Sequence, residues 1–320
     1  MVTRRAFPPR SPWLVAAVDG NHGGRLSQAR RLIALAAEAG ADAVKFTAAA
    51  DRADADAPPL APPAWRALRR EARARDIAFV LAPRDVRALA LTRALAPDAY
   101  QIDPSSLGDR ALIARIARER RPVLVVAGAC TIATLRAAVA ALRRCPIVVM
   151  HAVASPGLPP ARARLRYLTT LAARLRTPVG YLGSEPGPGW SLVAASMGAV
   201  AIEKAFTIDR HLSGAGHAAS LDPADLASLA ASLRDLQQAL APVGERRVFA
   251  EELAHLDRSG RSLVARRSLS RGATLKASDV ESRPGNAGLS PRLIDWLMGR
   301  SLRYDVDAGE PLTFGMVDPE

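Results

Sequence analysis

The sequence predicts an α/β chain in which eight parallel strands with helical crossovers close as a (β/α)8 barrel, of TIM-barrel type, followed by a small β-rich domain. Three observations carry this. Short apolar runs without polar alternation recur from residue 13 onward, as in strands buried on both faces. Each run is followed by a stretch of helical periodicity. The pair repeats eight times within about 230 residues, the count and size of a closed barrel.

Residues 13–19 form the first apolar run and 26–39 the first helical stretch. Residues 42–46 and 64–75 follow, then 77–82 and 86–95, then 99–102 and 109–118. The second half runs 122–127 and 132–143, 147–151 and 161–175, 178–181 and 191–197, and 200–204 and 223–240. Alanine and leucine dominate the longer stretches, which favours helix. A doubly wound open sheet competes with the barrel. Either would gather a site at the carboxyl ends of the strands. No Gly-x-Gly-x-x-Gly follows the first strand, so a dinucleotide fold is unsupported. The barrel domain is assigned to residues 1–242. Residues 243–260 are polar and charged and read as a linker. Residues 261–320 carry short apolar runs between Gly and Pro turns, with one helix near 291–298.

Nearly half of the 320 residues are hydrophobic and few are aromatic, so the core is expected to be aliphatic. The net charge of +13 suits a small anionic substrate. Nucleic acid is not an expected partner, because the arginines are scattered and no recognition motif accompanies them. Cys130 and Cys145 are too few for a disulfide framework or a zinc cluster, so a cytoplasmic location is expected. The start carries Arg4, Arg5 and Arg10. The apolar stretch after them is too short for a secretion signal, and no stretch is long enough to span a membrane.

Only three of the 44 basic residues are lysines: Lys45, Lys204 and Lys276. Two of these close strands, where a compact ammonium differs most from a guanidinium. In a barrel they would join His22, Gln101, His151, Glu185, His217 and Ser220 near one mouth. Lys45 and Lys204 would bind phosphate or carboxylate as point charges, or form an internal ion pair, for example Lys204 with Asp19. Of Glu203 and Lys204, neighbours on one strand, only one should face inward. His22, Lys45, Lys204 and His217 are the catalytic candidates. Lys45, Gln101 and Ser220 are substrate-binding candidates. His151 and Glu185 are candidate metal ligands, imidazole suiting Mn or Zn and carboxylate a harder ion. Each histidine also has a plain structural explanation, as a turn cap, a satisfied strand-end residue or loop surface.

Several of these residues lie in stretches that resemble the sialic acid synthase (N-acetylneuraminate synthase) family. Asn21-His22-Gly23-Gly24 is similar to its Asn-His-Asn-Gly, and Glu38-Ala-Gly-Ala-Asp-Ala-Val-Lys-Phe46 matches almost throughout. Ile202-Glu-Lys-Ala-Phe-Thr-Ile-Asp-Arg210 resembles Ile-Glu-Lys-His-Phe-Thr-Leu-Asp-Arg. His217, Ser220 and Leu221 fit Asp-His-x-x-Ser-Leu, and the end, with Arg283-Pro-Gly-Asn286, resembles an antifreeze-like (SAF, β-clip) domain.

The resemblance implies a barrel with that cap, in a homodimer whose C-terminal domains are swapped. It implies condensation of phosphoenolpyruvate with an amino sugar of the N-acetylmannosamine type, giving a nonulosonic acid and phosphate. A divalent metal, Mn, would assist. Lys45 would hold phosphoenolpyruvate, His151 the metal, and Arg283, with Asn286 beside it, the sugar of the partner's barrel. The pattern also departs from the family. Its second metal histidine falls on Ser184, its first-strand glutamate on Ala17 and its fourth-strand lysine on Gln101. A serine and a threonine fall on Val126 and Ala127, and the histidine after Glu-Lys is Ala205. Arg84 and Glu185 offer an alternative cation and ligand. Two readings follow: a divergent synthase, or a catalytically inactive paralogue that binds or regulates a partner.

Overall fold

Val15 of the first strand lies beside Ala43 of the second on one edge and Glu203 of the eighth on the other. That double pairing closes a barrel of eight parallel strands in sequence order. The structure, a computed structural model, describes residues 12–49, 60–153, 159–214, 216–242, 244–245 and 247–318. Arg4, Arg5 and Arg10, expected as a basic start, lie outside the described residues.

The first four units are β1 (Trp13–Ala17) and α1 (Leu26–Glu38), β2 (Ala43–Ala48) and α2 (Pro62–Ala74), β3 (Ala78–Pro83) and α3 (Val86–Thr92), and β4 (Ala99–Ile102) and α4 (Arg110–Glu119). The fifth and sixth are β5 (Val123–Ala127) and α5 (Ile132–Ala141), then β6 (Ile147–Ala152) with α6 (Pro160–Ala163) and α7 (Tyr167–Leu175). β7 (Val179–Gly183) with α8 (Gly189–Ser196) and β8 (Ala201–Ala205) with α9 (Pro223–Ala239) complete the barrel. Side chains of Asp85, Asp109, Thr131 and Asp222 accept amide hydrogen bonds at the starts of α3, α4, α5 and α9. The single helix expected over 161–175 is two helices, because Arg164 turns left-handed at φ 45° and stops the first.

Strand alternation sorts the core into two layers. Val15, Ala43, Val80, Ala99, Leu124, Val148 and Met150 fill the lumen. Leu14, Val44, Phe46, Phe79, Tyr100, Val125, Val149, Tyr181 and Ile202 face the helices. Gly180 serves the first layer: a Cβ there would lie 2.7 Å from the Ala201 carbonyl, so only glycine fits.

The chain divides into two compact units between Ala241 and Pro242. The second has its own core of Leu263, Ala265, Leu275, Val280, Leu289, Leu297, Leu302 and Leu312. It contains α10 (Ala250–Ser259), an antiparallel pair β9 (Arg261–Ala265) and β10 (Val280–Pro284), and the short α11 (Ile294–Leu297). The stretch expected as a linker therefore carries a helix. Glu252 anchors its first turn by accepting the Phe249 amide at 2.8 Å. Among the described residues no helix is long and apolar enough to cross a membrane.

Candidate functional site

The lumen is apolar below and charged above. Lys45 and Thr47 sit two residues apart on β2, so both point inward. Asp19 follows β1 in a left-handed turn at φ 41°, a conformation aspartate tolerates better than most residues. That turn brings its carboxylate 2.8 and 3.0 Å from the Lys45 ammonium and 2.7 Å from the Thr47 hydroxyl, which donates to it. From β8, Glu203 places Oε1 3.2 Å from the same ammonium. From β4, on the far side of the lumen, Gln101 donates to Glu203 Oε1 at 3.2 Å and to Asp103 at 3.0 Å. Both of these acceptors are carboxylates, which assigns the donor end of the Gln101 amide. Its Oε1 and Glu203 Oε2 are left buried without partners.

Electrostatics follow from this packing. Burial alone would lower the Lys45 pKa, but Asp19, Glu203 and Asp103 outweigh it and hold the ammonium charged. Burial pushes Asp19 up, while Lys45, Thr47 and Arg84 draw it down further, for a net lowering. Glu203 moves the other way: burial raises it and Lys45 only partly opposes. The ensemble is one ammonium shared by two carboxyl groups, with Asp19 half-exposed at the mouth.

The other candidates lie elsewhere. Lys204 is the outward neighbour of Glu203. Its ammonium, 1% exposed, donates to the Glu185 carbonyl and carboxylate, the latter at 3.1 Å. The Tyr181 hydroxyl donates to the other carboxylate oxygen at 2.8 Å. His151 also faces outward, its ring near those of Tyr167 and Tyr181 and its Nε2 2.9 Å from the Ala163 carbonyl. Burial lowers the pKa of both His151 and Lys204. His22 packs near Phe46, accepts the Gly24 amide at Nδ1, and is lowered to about 4 by burial. His217 bonds Thr207 at 2.6 Å, and Asn21 donates to Ser220 and to the Phe206 carbonyl. These contacts tie the turn after β1 to the loop after β8.

The candidates thus do not share one mouth. Lys45 and Gln101 face the lumen, whereas His151, Lys204 and Glu185 lie on the outer face of β6–β8, and the reason is strand alternation. Asp19 pairs with Lys45, not with Lys204. Arg283 and Asn286 belong to the second unit, at the end of β10 and in the turn after it; Arg283 pairs with Glu281 at 2.6 Å. Thr47 and Tyr181 were not singled out from the sequence, and Glu203 only as the strand neighbour of Lys204, with the inward face left open between them. The two-residue spacing from Lys45 to Thr47 was the signal for the first.

The family resemblance implies a divalent metal, but the donors present do not fit one. Among the described residues no group of three or more His, Cys, Asp or Glu side chains gathers at metal-binding spacing. Both Glu185 carboxylate oxygens already accept hydrogen bonds, and His151 offers one free nitrogen.

The fold and the lumenal charges define a (β/α)8 barrel of the kind that receives small ligands at the carboxyl ends of its strands. Residues 59–244 match the model of the NeuB family, and residues 260–318 match the SAF domain. The chain belongs to the NeuB family. It is 26% identical to N,N'-diacetyllegionaminic acid synthase of Campylobacter jejuni, over 90% of this chain and 94% of that protein. It is 30% identical to the spore coat polysaccharide biosynthesis protein SpsE of Bacillus subtilis, over 73% of this chain and 71% of that protein. A crystal structure of N-acetylneuraminic acid synthetase from Leptospira borgpetersenii superposes with a TM-score of 0.70 at 25% identity, covering 77% of this chain and 90% of that one. Several relatives are named as synthases of legionaminic, pseudaminic or N-acetylneuraminic acid or its 9-phosphate, and the chain is synthase-like in family and fold.

Proposed function

We propose that this chain condenses phosphoenolpyruvate with an open-chain sugar of the N-acetylmannosamine type, in the cytoplasm. Carbon 3 of phosphoenolpyruvate would join the sugar aldehyde, water would add at carbon 2, and phosphate would leave. The observation that supports this most is the buried Lys45 ammonium at the carboxyl end of the lumen, kept charged by Asp19 and Glu203. It is a point charge suited to a carboxylate or phosphate. Arg84 is near enough to act on Asp19 and adds a second cation. The half-exposed Asp19 would accept sugar hydroxyls. In this reading Arg283 and Asn286 act in the barrel of a second copy, within a homodimer. The two free cysteines suit the cytoplasm. No step is assigned to a metal.

One observation favours a second reading, a non-catalytic paralogue that binds a partner. Gln101 and Ser184 stand where the family has a lysine and a histidine, and the one lumenal ammonium is already matched by two carboxyl groups. Calorimetry decides between them. Saturable binding of phosphoenolpyruvate, lost in Lys45→Ala, together with phosphate release when N-acetylmannosamine is added, is the expected result. Absence of heat with phosphoenolpyruvate would leave the paralogue.

A further inference from the structure

The carboxyl ends of β7 and β8 are joined by side chains that neither reading uses. Lys204 points out of the barrel, and its buried ammonium must find counter-charge there. Glu185 supplies a carbonyl and a carboxylate. The carboxylate lies flat over Gly183, where a Cβ would meet its oxygens at 2.6 and 2.7 Å. Its second oxygen takes the Tyr181 hydroxyl, so no carboxylate oxygen is left without a donor.

We propose that Glu185 and Lys204 form a built-in crosslink between the ends of β7 and β8, holding them as a bound divalent ion would, and that this barrel takes no metal there. A cation seeking Glu185 would meet an ammonium 3.1 Å from the oxygen it needs. Like charges at that range in a buried site repel strongly. His151 cannot compensate, since its Nε2 is engaged by Ala163 and a single Nδ1 is no coordination set. Ser184, between Gly183 and Glu185, offers only a neutral hydroxyl. The Glu185–Lys204 pair holds the ends of β7 and β8 whether or not phosphoenolpyruvate is the substrate.

Thermal melting of the full chain tests it. Millimolar Mn or EDTA should leave the wild-type transition unmoved, within about 1 °C, because nothing binds the folded state selectively. Glu185→Gln and Lys204→Met should each lower it by roughly 10 °C, since each strands a buried partner. The double variant should lose clearly less than the sum, as for two groups that interact directly. A rise of several degrees on adding Mn to the wild type overturns the proposal, and so do additive losses in the double variant. Should a single variant fail to fold, the wild-type Mn titration decides by the same criterion. Failure of the synthase reading would appear only in the phosphoenolpyruvate calorimetry.

Discussion

Asp19 sits at φ 41° in the turn after β1, and its carboxylate meets Lys45 only because of that turn. Strained residues of this kind cluster at functional sites. Replacing Lys45 by Met would leave Glu203 buried against Gln101 and Asp19 without its ion-pair partner. A loss of about 3–5 kcal/mol in urea unfolding is expected, as for other broken buried pairs. His22 carries a pH signature. Its folded pKa, about 4, lies below the ordinary imidazole value, so between the two the unfolded chain binds the proton and the folded chain does not. Its contribution is therefore complete above pH 6.5 and is lost as pH falls towards 4. Between pH 7.5 and 5 the loss is about 2 kcal/mol. Urea titrations of wild type and His22→Gln at pH 7.5 and at pH 5 should show the wild type losing more unfolding free energy between the two by about 2 kcal/mol.

At the scale of elements, the ends of the helices decide more than their middles. Asp109 accepts the Leu112 amide at 2.9 Å and starts α4. Asp109→Ala should cost about 1 kcal/mol in chemical unfolding. The other end of α4 has the opposite sign. Arg120 caps it at φ 52°, where a side chain is strained and glycine is not. Arg120→Gly is expected to stabilise the chain by about 0.5–1 kcal/mol by the same measurement. Strand order and type were legible, because runs such as Val123–Ala127 are apolar on both faces. The division of 161–175 into two helices was not, since nothing in the letters announces that Arg164 turns left-handed. The helix α10 was missed for a related reason. Its sequence is polar enough to read as a connector, with Leu253 half-exposed.

The whole molecule is two units with separate cores, one inside and around the barrel and one behind β9 and β10. The described residues joining them form no regular element before Ala250, and Phe249 is 66% exposed. Limited chymotrypsin digestion should cut first after Phe249, leaving a barrel fragment whose mass identifies that site. A first cut inside residues 60–153 would contradict the division.

The sequence by itself determined the succession of strands and helices, the barrel, the small β-rich unit after it and the place of Lys45 at a strand end. Periodicity and spacing are local properties, and the chain states them directly. Only the tertiary structure decided which face each polar side chain occupies at a strand end. A one-residue step reverses direction there, so Glu203 enters the lumen while Lys204 leaves it. The same step carries His151 to the helix side, and its single unengaged nitrogen lies there among aromatic rings. Partners such as Asp19 with Lys45, or Gln101 with Glu203, are far apart in the chain. Their pairing follows from closing the sheet, which no local pattern contains.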